Sequence, residues 1–221
     1  MYNSYWSQRE SQSHTPGVIK VNAEHTLYVE PNRAIVSIGI VTKDKELAIA
    51  QRQNQLISSK LLLSLEQNGI PKNHIQTSTY HIYPQYNFED GVQTFAGYEV
   101  RQIFSVTIDT IDKIGKIIDD AVKAGANTVE SIQFINSDTS NVYQKALAIA
   151  YKKAFQKAVT LANASGQKLV TQPKIISEKT SGKEIPYASN QFVKAASTEG
   201  TTVQTGQIAV TAELIVEYSA Y

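Results

Sequence analysis

Cysteine is missing altogether from the 221 residues. That absence excludes disulfides, thiolate nucleophiles and cysteine-ligated metals, and it leaves either redox environment open to the chain. An excess of one charge is missing as well. Lys and Arg number 21 against 20 Asp and Glu, for a net charge of +1. A chain so balanced has no global pull toward phosphate backbones or anionic membranes, so nucleic acid is not an expected partner. Long apolar runs are absent, and no membrane span is expected. The opening residues, Met1 to Pro16, are polar and carry no apolar core of a secretory signal. As given, the chain reads as cytoplasmic, with a periplasmic or extracellular location if a leader was removed. Residues 1–16 read as a flexible tail.

What is present is ordinary for a folded protein: 42% hydrophobic and 19% charged residues, with 12 Tyr and 6 Phe. Residues 17–221 are expected to form a single α+β domain, interrupted by a polar, mobile segment at 178–206. Within that segment Ile185-Pro186-Tyr187 and Gln191-Phe192-Val193 offer a small hairpin arm as the alternative.

The periodicities order the elements as ββαββαβαββ. Ile19, Val21 and Ala23, then Leu27 and Val29, alternate with polar residues. The turn Glu30-Pro31-Asn32 follows, and Ala34 to Val41 make a second strand, so an antiparallel hairpin is expected. Gly39 inside that strand marks a bulge or a close approach. Lys45 to Asn68 has helical spacing at Leu47, Ala50, Asn54, Ile57, Leu61 and Leu65, with Leu56 and Leu63 widening the apolar face. Two strands, Ile75–Tyr86 and Phe95–Ile108, flank a loop at 87–92, and mixed parity in the second suggests a register shift near Gln102. Asp109 or Thr110 caps a short helix closed by Gly125. A short strand at Ser131–Asn136 precedes a long helix from Asn141 to Ser165. Leu169–Glu178 is a strand whose Pro173 suggests an edge position, and alternation from Ile208 to Tyr218 makes the last strand. Helices placed singly among hairpins argue for two long helices and one short one packed on an antiparallel sheet.

The strongest local feature is aromatic. Tyr80, Tyr83, Tyr86, Phe88, Phe95 and Tyr98 fall across one hairpin, either as packing under the helices or as outward anchors for a partner or ligand. Ala146, Ala150, Ala154, Ala158 and Ala162 repeat every four residues, a row that lets another backbone approach closely, whether its own sheet, the other long helix or a second subunit. Lys145, Lys152, Lys153 and Lys157 on the same helix read as a solvated face or a contact for an acidic partner.

Chemistry is thinly represented. The histidines are His14, His25, His74 and His81, without metal-ligand spacing; His25, His81 and Glu24 are the one conceivable metal or hydrolytic set. No nucleophile elbow, phosphate loop or dinucleotide fingerprint occurs, and Ser181-Gly182-Lys183 lacks a phosphate loop's context. Asp119-Asp120 diverge by about 100° on a helix and share no site well. No catalytic residue, cofactor or metal site is assigned.

Several segments then combine: Val29-Glu30-Pro31-Asn32-Arg33-Ala34, Tyr83-Pro84-Gln85-Tyr86, Gly97-Tyr98-Glu99-Val100, Ala121-Val122-Lys123-Ala124-Gly125-Ala126-Asn127, Lys153-Ala154 with Lys157-Ala158, and Gly206-Gln207-Ile208. In this order and spacing the chain resembles the SIMPL domain family over residues 17–221. The resemblance implies an α+β fold and, in some members, large ring-like oligomers. Bacterial members include periplasmic and surface-immunogenic proteins loosely linked to stress tolerance, and the founding mammalian member is an adaptor for a receptor-associated kinase. No catalytic motif comes with it. The chain departs at Asn32, where the family often has Asp, and at Asn22-Ala23-Glu24, where it tends toward glycine.

The resulting expectation is a non-catalytic binding or assembly protein that self-associates, with a protein partner also conceivable. The alternatives are a binder of small apolar or aromatic ligands between helices and sheet, and a metal-dependent hydrolase.

Overall fold

The computed structural model describes residues 17–179 and 201–221. The expected tail at 1–16 and the arm at 185–193 lie outside the described residues. The elements run β1 (Gly17–Val29), β2 (Arg33–Asp44), α1 (Leu47–Gln67), β3 (Ile75–Glu89), β4 (Val92–Ile108), α2 (Ile114–Lys123), β5 (Thr128–Ile135), α3 (Thr139–Ala164), β6 (Leu169–Lys179) and β7 (Ile208–Ala220). The α+β class and the order ββαββαβαββ are those the periodicities indicate. The strands divide between two sheets, β1-β7-β6 and β3-β4-β2-β5. The expected β1–β2 hairpin does not form: β1 pairs with β7, while β2 lies between β4 and β5.

Contacts group the chain into two compact units. In the described residues the first comprises 17–27, 138–179 and 210–221, and the second 28–137 and 201–209.

In the first unit, α3 covers one face of its sheet. The alanine row is buried throughout, and four of its members, Ala150, Ala154, Ala158 and Ala162, pack with Leu214, Val216 and Tyr218. Small side chains at every fourth position let the helix backbone sit close to the strands. Tyr218 is fully buried beside Phe155, with ring centroids 6.0 Å apart, and burial pushes its phenol up to about 12. The strand β6 is an edge strand, as Pro173 indicates. The other edge is β1, and there the lysines of α3 are not simply solvated. Lys157 Nζ donates to the Asn22 carbonyl at 2.9 Å, and Lys153 Nζ to that of Glu24 at 3.5 Å.

In the second unit, Ala34, Val36, Ile38 and Ile40 of β2 and Phe104, Val106 and Ile108 of β4 face Leu61 and Leu65 of α1 and Ile114, Ile117, Ile118 and Ala121 of α2. The expected register shift near Gln102 falls on the β3 side, where Thr77 pairs with Phe104 and Thr79 with Ile103, while β2 and β4 pair without interruption from Ala34↔Ile108 to Asp44↔Tyr98. The large buried side chain of β4 that is out of parity is Ile103, which lies opposite Gly39 on the other face. A Cβ at Gly39 would stand 2.1 Å from the Gln102 carbonyl oxygen and 2.7 Å from Ile103 Cδ1, so only glycine fits. The β3–β4 pairing thus has Ser78 as an extra residue on β3 and, further out, Ala96 as one on β4, and the β2–β5 pairing shifts after Ser37.

The inward row of α1 is partly polar. Asn54 and Ser58 are buried with Ala50, Leu61 and Leu65. The Asn54 amide donates to the Ile40 and Val100 carbonyls at 3.4 and 3.3 Å, and Ser58 Oγ donates to Gln102 Oε1 at 2.7 Å. The helix does not turn Leu56 and Leu63 inward, as an apolar face would require; they are 60% and 56% exposed.

Two asparagines act as backbone substitutes. The side chain of Asn127 accepts from Val41 N–H and donates to Val41 C=O, both at 2.8 Å, which extends the β5 edge past its end. Asn32 donates to Ser137 Oγ and accepts from Ser137 N–H, both at 2.9 Å, tying the β1–β2 link to the end of β5. Neither Asp109 nor Thr110 caps α2 with its side chain. The Asp109 carboxylate goes instead to Arg33 Nε at 2.6 Å and lies 3.6 Å from His74 Nδ1. The helix begins after a single 3₁₀ turn, Ile111–Lys113.

Candidate functional site

The hairpin of β3 and β4 is longer than periodicity suggests, because the strands continue to Glu89 and resume at Val92. The loop is only Asp90-Gly91, with φ of 50° and 79°. Two consecutive positive φ values belong to a type I′ turn, the turn that Asp-Gly favours and whose twist matches the strands. Near its middle the arm carries a second irregularity. Gln85 pairs with Gly97 and Tyr86 with Phe95, leaving Ala96 as the extra residue. At Gly97 φ is +144°, and a Cβ would lie 2.6 Å from the Asp44 carbonyl oxygen. Glycine there lets the arm leave the sheet while β4 stays close to the end of β2.

Alternation along β3 puts Tyr80, Ile82, Tyr86 and Phe88 on one face, and cross-strand pairing adds Phe95 and Tyr98 to it. Tyr86, Phe95 and Tyr98 form an edge-to-face chain with centroid separations of 5.8 and 5.2 Å. The rings are largely in solvent: Tyr80, Tyr86, Phe88 and Phe95 are exposed, with Phe88 at 73%, and Tyr98 is half-buried. Tyr83 does not join them. It lies on the opposite face, stacked on His81 at 5.5 Å, where Lys43 pairs with Glu99 and Arg101 with Glu130. Of the aromatic residues singled out in the sequence, five therefore share one face and one does not. Ile82 belongs to the exposed strip too, a residue that an aromatic count overlooks.

The arm's electrostatics are one-sided. Between Lys72 and Arg101 the chain has no Lys or Arg, and the charged side chains of 75–98 are Glu89 and Asp90, at the tip.

The other candidates resolve differently. His25 Nδ1 lies 3.1 Å from Lys153 Nζ, and His81 is in the stack with Tyr83. Among the described residues no three His, Asp or Glu side chains gather as a metal ion needs. Asp119 and Asp120 take separate partners. Thr201 donates to Asp119 through its hydroxyl at 2.6 Å and its N–H at 3.1 Å, and the carboxyl is held below its ordinary value by those bonds. Lys116 bonds Asp120 at 2.5 Å and lowers that carboxyl likewise. In the first unit a groove of about 560 Å³ runs beside β1 and α3. Lys20, Asn22, Lys153, Gln156, Lys157 and Thr160 line it with two apolar residues, Val21 and Leu161. Among the described residues, no helix is long and apolar enough to cross a membrane.

Comparison with known proteins agrees with the motif order. The SIMPL family, described as a protein of unknown function (DUF541), matches residues 19–218. The 26 kDa periplasmic immunogenic protein of Brucella melitensis biotype 1 is 27% identical over 192 residues, covering 85% of this chain and 77% of that protein. The uncharacterized protein YggE of Escherichia coli strain K12 is 29% identical over 139 residues, covering 63% of this chain and 56% of YggE. The family match runs from within β1 to Tyr218 in β7, and the chain belongs to the SIMPL family.

Proposed function

We propose that this protein is a non-catalytic binding and assembly module that self-associates through the aromatic arm of β3 and β4. The observation that carries the reading is the exposed strip Tyr80, Ile82, Tyr86, Phe88 and Phe95 on a two-stranded support. Large rings contribute much contact area for little conformational entropy, and a contiguous apolar patch of this kind marks an interface. The half-buried Tyr98 anchors the strip to the sheet through Phe95. A role in the periplasm, the compartment for which one relative is named, suits a chain whose fold depends on no thiol.

The small-ligand reading draws on the groove beside β1 and α3. An apolar ligand would meet only Val21 and Leu161 there, and two of the lysines already bond carbonyls. It ranks below assembly for that reason.

Multi-angle light scattering across a concentration series tests the proposal. The expected result is a mass that exceeds one chain and rises with concentration, and that falls when Tyr86→Ser and Phe88→Ser are combined. A strict monomer at the highest concentration would overturn it.

A further inference from the structure

The helix α1 presents a second unusual surface. Ile49, Leu56 and Leu63 are all exposed and spaced by seven residues, so they form one line along the helix. At about 100° per residue that line stands about 180–220° from Asn54, which points into the core. It is the outermost ridge of the helix, the position where a solvated helix places its charges. Arg52 and Lys60 flank the line, each about 40° away from Leu56. They are the charged residues of 47–65, and both are cations.

Ridge and arm are complementary in three respects. Charge is the first: the arm has acids and no Lys or Arg over 75–98, and the ridge has cations and no acids over 47–65. Shape is the second, because a flat strip of rings suits a convex aliphatic line. Length is the third. Ile49 to Leu63 spans about 21 Å of helix, and Tyr80 to Phe88 about 27 Å of strand. The symmetric alternatives lack this match. Ridge on ridge centred on Leu56 sets Arg52 of each chain against Lys60 of the other, with Glu46 and Glu66 at the helix ends, and arm on arm leaves Glu89 and Asp90 without a cation.

We propose that the arm of one chain docks on the α1 ridge of a second copy, with Glu89 and Asp90 at its tip engaging Arg52 and Lys60. The inference rests on the assembly reading and names the surface that receives the arm. Such a contact is heterologous: each chain gives its arm and receives another, so the contact repeats from copy to copy, closing into a ring when the rotation allows.

The cysteine-free chain permits a direct test. Gln93→Cys places a thiol on the aromatic face beside Phe88, and Ser59→Cys places one near the ridge. Mixed and oxidised, the two proteins should cross-link chiefly to each other; dominance of either homodimer overturns the proposal. In sedimentation velocity, Arg52→Glu with Lys60→Glu should weaken association about tenfold or more. Adding Glu89→Lys with Asp90→Lys to the same chain should restore most of it, an outcome that loss of folding cannot mimic. A wild-type monomer would sink both the assembly reading and this one. A wild type that assembles and is dispersed by Phe88→Ser, but not by the Arg52 and Lys60 reversals, would sink this inference alone.

Discussion

The helices α1 and α3 are both long, and both turn a row of residues toward a sheet, yet they fill that row in opposite ways. In α3 the row is alanine, and the strands opposite it supply Leu214, Val216 and Tyr218. In α1 the row begins Ala50, Asn54, Ser58 and becomes apolar only at Leu61 and Leu65. The outer faces differ in the reverse sense. On α1 the ridge of Ile49, Leu56 and Leu63 stands in solvent, whereas α3 exposes Leu161 as its large hydrophobic residue. A helix that buries amides and hydroxyls while exposing leucines is not optimised for the unit that contains it. The difference teaches that the residue pattern of α3 follows from its own core, whereas α1 carries on its outer face apolar residues that its own core does not use.

The sharpest way to break the comparison is to enlarge the alanine row. Ala154→Leu forces three more carbons between α3 and its sheet and should cost about 2–3 kcal/mol in urea unfolding. A negligible loss would mean that α3 sits less tightly than its buried row indicates. Next in size is Asn54→Ala, which strips the polar seam of its central donor and should cost about 1–2 kcal/mol. A stabilised variant would show that α1 carries its inward amide at a net loss.

The last effect is confined to alkaline pH and is absent under neutral conditions. Burial holds the Tyr218 phenol protonated up to about 12, above its ordinary value of 10.0. The unfolded chain releases that proton first. The stabilisation is therefore complete below pH 10 and is lost as pH rises toward 12, by at most about 1.4 kcal/mol per pH unit. Tyr218→Phe should remove this part of the slope and leave the polar seam of α1 unaffected, which amide exchange of the two helices would report.

Much of this was legible in the residues. Gly39 announced a close approach, Pro173 an edge, and the alanine spacing a buried row, because each follows from local steric rules. What failed required partners distant in sequence. Nothing near β1 says that it pairs with β7, where Thr26 and Thr211 bond across 185 positions, so the nearer β2 was the natural expectation. Leu56 and Leu63 were assigned inward because amphipathic reasoning sends leucine to the core, and it has no means of knowing that Gln102 waits there for Ser58. For the candidate site, the rings themselves were visible, but their division between faces depended on the pairing of β3 with β4. The Asp90-Gly91 signal was present and read as part of a wider loop; only the full ladder shows that two residues suffice.

The lysines of α3 carry a last consequence. An edge strand offers its bare carbonyls and amides to any extended peptide that drifts past. By bonding the outward carbonyls of Asn22 and Glu24, Lys157 and Lys153 stopper that side of β1 with ammonium groups. Neutralising them, by acylation or by Lys157→Met, would unseal a template for uncontrolled strand-by-strand growth.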